Sequence, residues 1–148
     1  MQDVIIREIT VNATQERVYK AITDLSEITK WFPEAVEGGS LEPGQEPVFI
    51  FRDGQSRRKV IIQEANPFGY FAFRWAPGPD GLSEKHVLDL PNTLVEFHIE
   101  PSDTGTKVTV KESGFASLPT DYAEISLDQN SGGWTFMTDR LEKFLNDN

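Results

Sequence analysis

Two stretches of this chain follow different periods, and that contrast constrains the fold more than any single motif. Residues 48–113 form short segments rich in β-branched and aromatic residues, each ended by a turn. In the last segment Trp134, Met137, Leu141 and Leu145 recur at helical spacing, with Phe144 beside them. Closely spaced strands joined by turns make an antiparallel meander, and the apolar face of such a sheet has to be covered. The C-terminal segment is the only predicted helix long enough to cover it. Its start falls near residues 121–126, so it contains Gly132 and Gly133. Each internal glycine costs roughly 1 kcal/mol relative to alanine. The expectation is that the helix bends there or that something packs very close to it.

The N-terminal third is strand, helix, helix. Residues 4–11 are β-rich. Asn12 and Thr14 are both suitable N-caps, and Val18, Ala21, Ile22 and Leu25 form one apolar stripe. Asp24 or Ser26 can cap a second short helix that ends near Trp31 and Phe32, with Pro33 closing it. Residues 33–46, rich in Gly, Pro and Glu, read as a loop. Strands follow at 48–52, 58–64, 70–75, 94–100 and 107–113, with a further short one at 86–90. Turns fall at Asp53-Gly54, Asn66-Pro67, residues 76–81, Pro91-Asn92 and residues 102–105. The fold expected is α+β: one domain over residues 1–148, with a curved antiparallel sheet wrapped around a long C-terminal helix and two short helices after the first strand.

Composition narrows the function. With 148 residues the chain can bury a core without staples, and with no cysteine it has no disulfide, thiol nucleophile or zinc finger. A net charge of −10 argues against nucleic acid as a partner, because phosphate binding needs clustered Lys and Arg. No run approaches the roughly 20 apolar residues of a membrane span, so no membrane insertion is expected. Asp3 and the absence of a basic n-region argue against a secretory signal, which leaves the Asn12-Ala13-Thr14 sequon without meaning and points to a cytoplasmic protein. His86 and His98 stand in no ligand spacing, and there is no phosphate loop, dinucleotide fingerprint or nucleophile elbow. Neither a metal nor a cofactor is expected.

Strand parity locates the interior. It sets Phe71, Phe73 and Trp75 on one face, opposite Tyr70, Ala72 and Arg74. Val95, Phe97 and Ile99 share a face, with His98 outward, and Val108 and Val110 share a face with Glu112. These aromatic rings either fill the core or line a cavity, and the same choice applies to Trp31 and Phe32 at the helix end. A carboxylate on an apolar face needs a partner or a raised pKa. Glu112 is thus a candidate ligand contact or general acid/base, unless it reaches solvent at the strand end near Gly114 or is satisfied by Arg74 or a backbone donor. Arg52, Arg57, Arg58 and Lys59 form the basic cluster of the chain. They read as a solvated hairpin tip, with docking to an acidic partner as the alternative.

Four segments resemble a known superfamily in their order and spacing: "VYKAITDLSEITKWF", "VIIQEANPFGYFAFRW", "TKVTVKESGF" and "GGWTFMTDRLEKFL". Together they resemble the SRPBCC (START-like) superfamily, in the branch named for the activator of heat shock protein 90 ATPase homologue. The resemblance covers roughly Val4 to Leu145. It implies a helix-grip fold with a deep hydrophobic cavity, and it fixes fold better than function. Three readings follow. The first is a binding module holding a small hydrophobic, aromatic or lipid-like molecule, with cavity candidates Trp31, Phe32, Phe71, Phe73, Trp75, Val95, Phe97, Val108, Val110, Glu112, Trp134, Met137 and Leu141. The second, implied by the family name, is a co-chaperone acting on a heat-shock chaperone ATPase in the stress response. The third is a cofactor-free cyclase or dehydratase using Glu112 or a histidine.

Overall fold

A computed structural model describes residues 3–78 and 84–147. Its elements, in chain order, are β1 (Val4–Val11), α1 (Gln15–Thr23), α2 (Leu25–Ile28), β2 (Ala35–Glu37), β3 (Val48–Phe51), β4 (Ser56–Asn66), β5 (Tyr70–Trp75), β6 (Thr93–Ser102), β7 (Gly105–Ser113) and α3 (Ala123–Asn146). The strands form one antiparallel sheet in the order β1-β7-β6-β5-β4-β3-β2. The long C-terminal helix packs across it against β1, and the two short helices follow the first strand, which is the helix-grip arrangement.

Local chemistry accounts for the boundaries. The Thr14 hydroxyl accepts from the Arg17 N–H at the start of α1, and the Asp24 carboxylate accepts from Ser26 N–H at the start of α2. Trp31 is sealed inside by its indole N–H, which donates to the Ala21 carbonyl at 2.9 Å. A bulge between Ile62 and Glu64 interrupts the β4–β5 register, a device that bends a strand and increases its twist.

Two expectations are corrected. Residues 33–46 are not all loop, since Ala35–Glu37 pairs with Val48–Ile50 as an edge strand. Residues 86–90 form no strand. A 3-10 turn occupies Val87–Asp89, and the Asn92 amide donates to the carbonyls of Val87 and Leu90, groups that a ladder would need. Of the turn at residues 76–81, positions 79–81 lie outside the described residues. Among the described residues no helix is long and apolar enough to cross a membrane.

The core is aromatic at its centre. Phe32 is the hub. Its ring lies 5.2 Å from both Trp31 and Trp134, 5.6 Å from Phe49 and Phe51, and within 6.2 Å of Phe73 and Trp75. Offset and edge-on pairs at such spacings add roughly 0.5–1.5 kcal/mol each beyond area burial.

Candidate functional site

Glu112 is fully buried, and it fastens the helix to the sheet. One carboxylate oxygen accepts from the Trp134 indole N–H at 2.8 Å. The other accepts from Trp75 N–H at 2.9 Å and Thr93 hydroxyl at 2.6 Å. The Asn130 amide reaches both oxygens at 3.1 Å. One side chain on β7 thereby joins β5, β6 and two successive turns of α3. Burial pushes the Glu112 carboxyl above the ordinary carboxylate range, and the four donors pull it back toward the ionised form. Arg74 takes no part. It faces the other side of the sheet and donates to Gln63 and Asn92.

In front of the two indoles lies a cleft of about 570 Å³. The helix contributes Gln129, Asn130, Gly133, Trp134, Phe136, Met137 and Arg140, a single helical face. The sheet side contributes Phe51, Arg52, Ser56, Arg58, Trp75 and Pro77, and the α2–β2 connection adds Phe32 and Glu34. Phe136, 59% exposed, stands at the rim with the Arg140 guanidinium 5.6 Å from its ring centre. The volume falls in the range of small-molecule sites, roughly 300–1,000 Å³.

Gly133 leaves the cleft open. The helix runs unbroken through Gly132 and Gly133, and nothing lies within 4 Å of where a Cβ would stand on either. Of the two expectations for these glycines, a bend or close packing, the close packing is absent, and at position 133 the missing side chain is cleft volume.

Arg58 is the polar centre of the opposite wall. It shares the inward face of β4 with Val60 and Ile62, and its guanidinium donates to the carbonyls of Ala76 at 3.1 Å and Gly78 at 2.7 Å. Gly78 can serve as that acceptor only as glycine: its φ is +85°, and a Cβ would lie 2.6 Å from the Tyr122 ring. Burial lowers the Arg58 pKa, the neighbouring Arg52 charge lowers it further, and Glu112 opposes both. The edge strand β2 sets the last polar wall. The Glu34 N–H bonds the Ile50 carbonyl at 2.7 Å, and the Glu34 carboxylate accepts from the Asp53 N–H at 3.0 and 3.2 Å.

Of the residues singled out in the sequence, the structure brings Phe32, Trp75, Trp134 and Met137 together on the cleft wall. Trp31, Phe71, Phe73, Val95, Phe97, Val108, Val110 and Leu141 are buried in the core and are absent from that wall, and Glu112 sits behind the indoles. The polar lining was missed: Glu34, Arg52, Arg58, Gln129, Asn130 and Arg140. Two signals were available. Parity from Val60 and Ile62 puts Arg58 inward, by the argument that placed Glu112. Asn130 stands four residues before Trp134, on the same helical face. The basic cluster is accordingly not a uniform solvated tip: Arg57 pairs with Glu37 at 2.7 Å, while Arg52 and Arg58 turn to the cleft. Among the described residues no group of metal-ligating side chains assembles.

Solved structures share this fold over nearly the whole chain. The Aha1 dimer from Colwellia psychrerythraea aligns with a TM-score of 0.75 at 19% identity, covering 98% of this chain and 97% of that one. Protein MLL2253 from Mesorhizobium loti gives 0.75 at 18% identity, covering 97% of both chains. DynU16, from the dynemicin biosynthetic locus, gives 0.76 at 21% identity over 98% of this chain; the chain spans about half of DynU16, 48%. Comparison with functionally curated proteins finds no match. The family model described as Activator of Hsp90 ATPase homolog 1-like protein matches residues 12–146, and the chain belongs to that family.

Proposed function

We propose that this protein binds a small, flat, largely apolar molecule in the cleft between the sheet and α3. The observation that carries the reading is the cleft itself, about 570 Å³ and walled by Phe32, Phe51, Trp75, Trp134 and Met137. Apolar burial at roughly 25 cal/mol per Å² supplies useful affinity to a guest of that size, and the polar lining orients it. Phe32, Trp75, Trp134 and Met137 touch the ligand in this reading. Trp31, Phe71, Phe73, Val95, Phe97, Val108, Val110 and Leu141 support them from behind, and Glu112 holds both indoles in place. A role for Glu112 as acid or base finds less support, because its two oxygens are already occupied by four donors. The binding needs no metal or cofactor, and the cytoplasm is the compartment proposed.

The test is a panel of flavonoid-like, sterol and fatty-acid ligands followed by NMR. The indole N–H signals of Trp75 and Trp134, the Asn130 amide and the Met137 methyl should shift together. A second reading, assistance to a heat-shock chaperone, is favoured by the family match. It takes the place of the first if no ligand moves these signals at millimolar concentration while a purified chaperone domain shifts the outer face of the sheet.

A further inference from the structure

We infer that the ligand is an amphiphilic anion: a flat apolar body against Trp75, Trp134 and Met137, and one oxyanion group, such as a carboxylate, held by Arg58 and Arg52 with Arg140 at the mouth. The inference rests on the binding reading above and assigns its chemical class.

The chain carries −10, yet its cleft gathers three of its seven arginines against one carboxylate, Glu34. That carboxylate is engaged by the Asp53 N–H. Outside the cleft Arg17 pairs with Glu27 and Arg57 with Glu37, while Arg7 and Arg74 bond neutral side chains; in the cleft Arg140 donates to the Lys30 carbonyl at 3.3 Å. Among the described residues no carboxylate forms an ion pair with Arg52, Arg58 or Arg140. The bonds of Arg58 to two backbone carbonyls fix its guanidinium plane without neutralising it. The carboxylate it feels across the site, Glu112, is committed to four other donors.

Half-buried Arg58 and exposed Arg52 therefore share one wall, and among the described residues no carboxylate is bonded to either. The turn that carries Arg52 is left-handed. Arg52 and Asp53 both adopt positive φ, +55° and +56°, ahead of Gly54 at +88°. Left-handed backbone is disfavoured for non-glycine residues, and at the cleft edge the Glu34 carboxylate accepts from the Asp53 N–H of this turn. An entering oxyanion would accept from the fixed fork of Arg58, the strong and directional form of charge-assisted hydrogen bond, while its body covers the indoles.

The experiment uses two fluorescent probes on the full chain at neutral pH. They are 1-anilinonaphthalene-8-sulfonate and N-phenyl-1-naphthylamine, which has the same rings without the sulfonate. The anion should bind about tenfold or more tightly than the neutral probe, as expected for one charge-assisted pair. Its affinity should fall with added salt. Arg58→Gln and, on the exposed turn, Arg52→Gln should each weaken the anion far more than the neutral probe and so remove most of that preference. Equal affinity of the two probes overturns the anion assignment and leaves the binding reading standing. Anion binding that is indifferent to both substitutions also overturns it. Failure of both probes to bind, with the protein folded by NMR, overturns the binding reading itself.

Discussion

The two edges of α3 meet the same sheet in opposite ways. On one edge Arg7 of β1 donates to the Ser131 carbonyl at 2.9 Å, the Ser131 hydroxyl at 2.8 Å and the Thr135 hydroxyl at 3.0 Å, so strand and helix are stitched together. On the other edge, among the described residues, Arg58 of β4 reaches no helix residue and bonds the loop carbonyls of Ala76 and Gly78. Ser131 and Gly133 project about 200° apart on the helix, so each edge has its own face. One face finds the sheet, and the other leaves the cleft. A sandwich closes where both layers present side chains that reach one another. It stays open where one layer presents glycine and the other a charge bonded elsewhere. The role of an arginine here follows from its partners, not from its position in a basic cluster.

The buried face of α3 between the two edges is where substitution costs most. Trp134→Ala removes a buried ring from the aromatic centre and a donor from Glu112, and should destabilise by about 3–5 kcal/mol. Leu141→Ala, further along the same helix, should cost about 2–5 kcal/mol. Met137→Ala should cost clearly less, because Met137 is only partly buried and already borders empty space. Urea unfolding of the three variants tests the contrast, and a loss at Met137 equal to that at Leu141 would mean the cleft is closed in solution.

Glu112 sits where the two edges join, and its substitution sharpens the comparison. In Glu112→Gln the new amide NH₂ must face indole, hydroxyl or amide donors, so at least one buried donor loses its acceptor. The expected cost at neutral pH is about 1–3 kcal/mol. The pH dependence carries a sign. Burial raises the folded-state pKa of Glu112 above its ordinary 4.5, so folding favours the protonated form. The stability this contributes is fully present below pH 4.5 and is lost as pH rises through the folded value. The advantage of the native protein over Glu112→Gln should therefore shrink as pH rises from about 4.5, then level off. A difference that grows with pH across that window means the four donors outweigh desolvation and the carboxyl sits below its ordinary value.

Much of the frame was readable from residue pattern. Val4–Val11 and Tyr70–Trp75 are strands at the boundaries their β-rich composition indicates, and Thr14 and Asp24 cap as short oxygen-bearing side chains do. Parity put Glu112 inside because a strand repeats every two residues whatever the side chain. The three-residue strand β2 was not readable, since it has no period of its own and exists by pairing with β3. The cleft was harder still. Its walls are set by distances between elements far apart in the chain, and its polar lining looks like surface in a linear reading. Charged neighbours make Arg58 look like surface, and its alternation with Val60 and Ile62 is the better guide.

The smallest effect tests the open edge most directly. Both helical glycines face empty space, so alanine at either position should stabilise the helix by up to about 1 kcal/mol, the propensity difference. Gly132 lies outside the cleft and Gly133 lines it. The two alanine variants should therefore raise the urea midpoint alike, while larger residues separate them. Gly133→Leu should keep that stability and block the naphthalene probes, because its side chain grows into the space in front of Trp134. Gly132→Leu should leave probe binding unchanged. If Gly133→Ala lowers the midpoint, its Cβ meets atoms where this structure has none, and the edge of α3 facing β4 is packed after all.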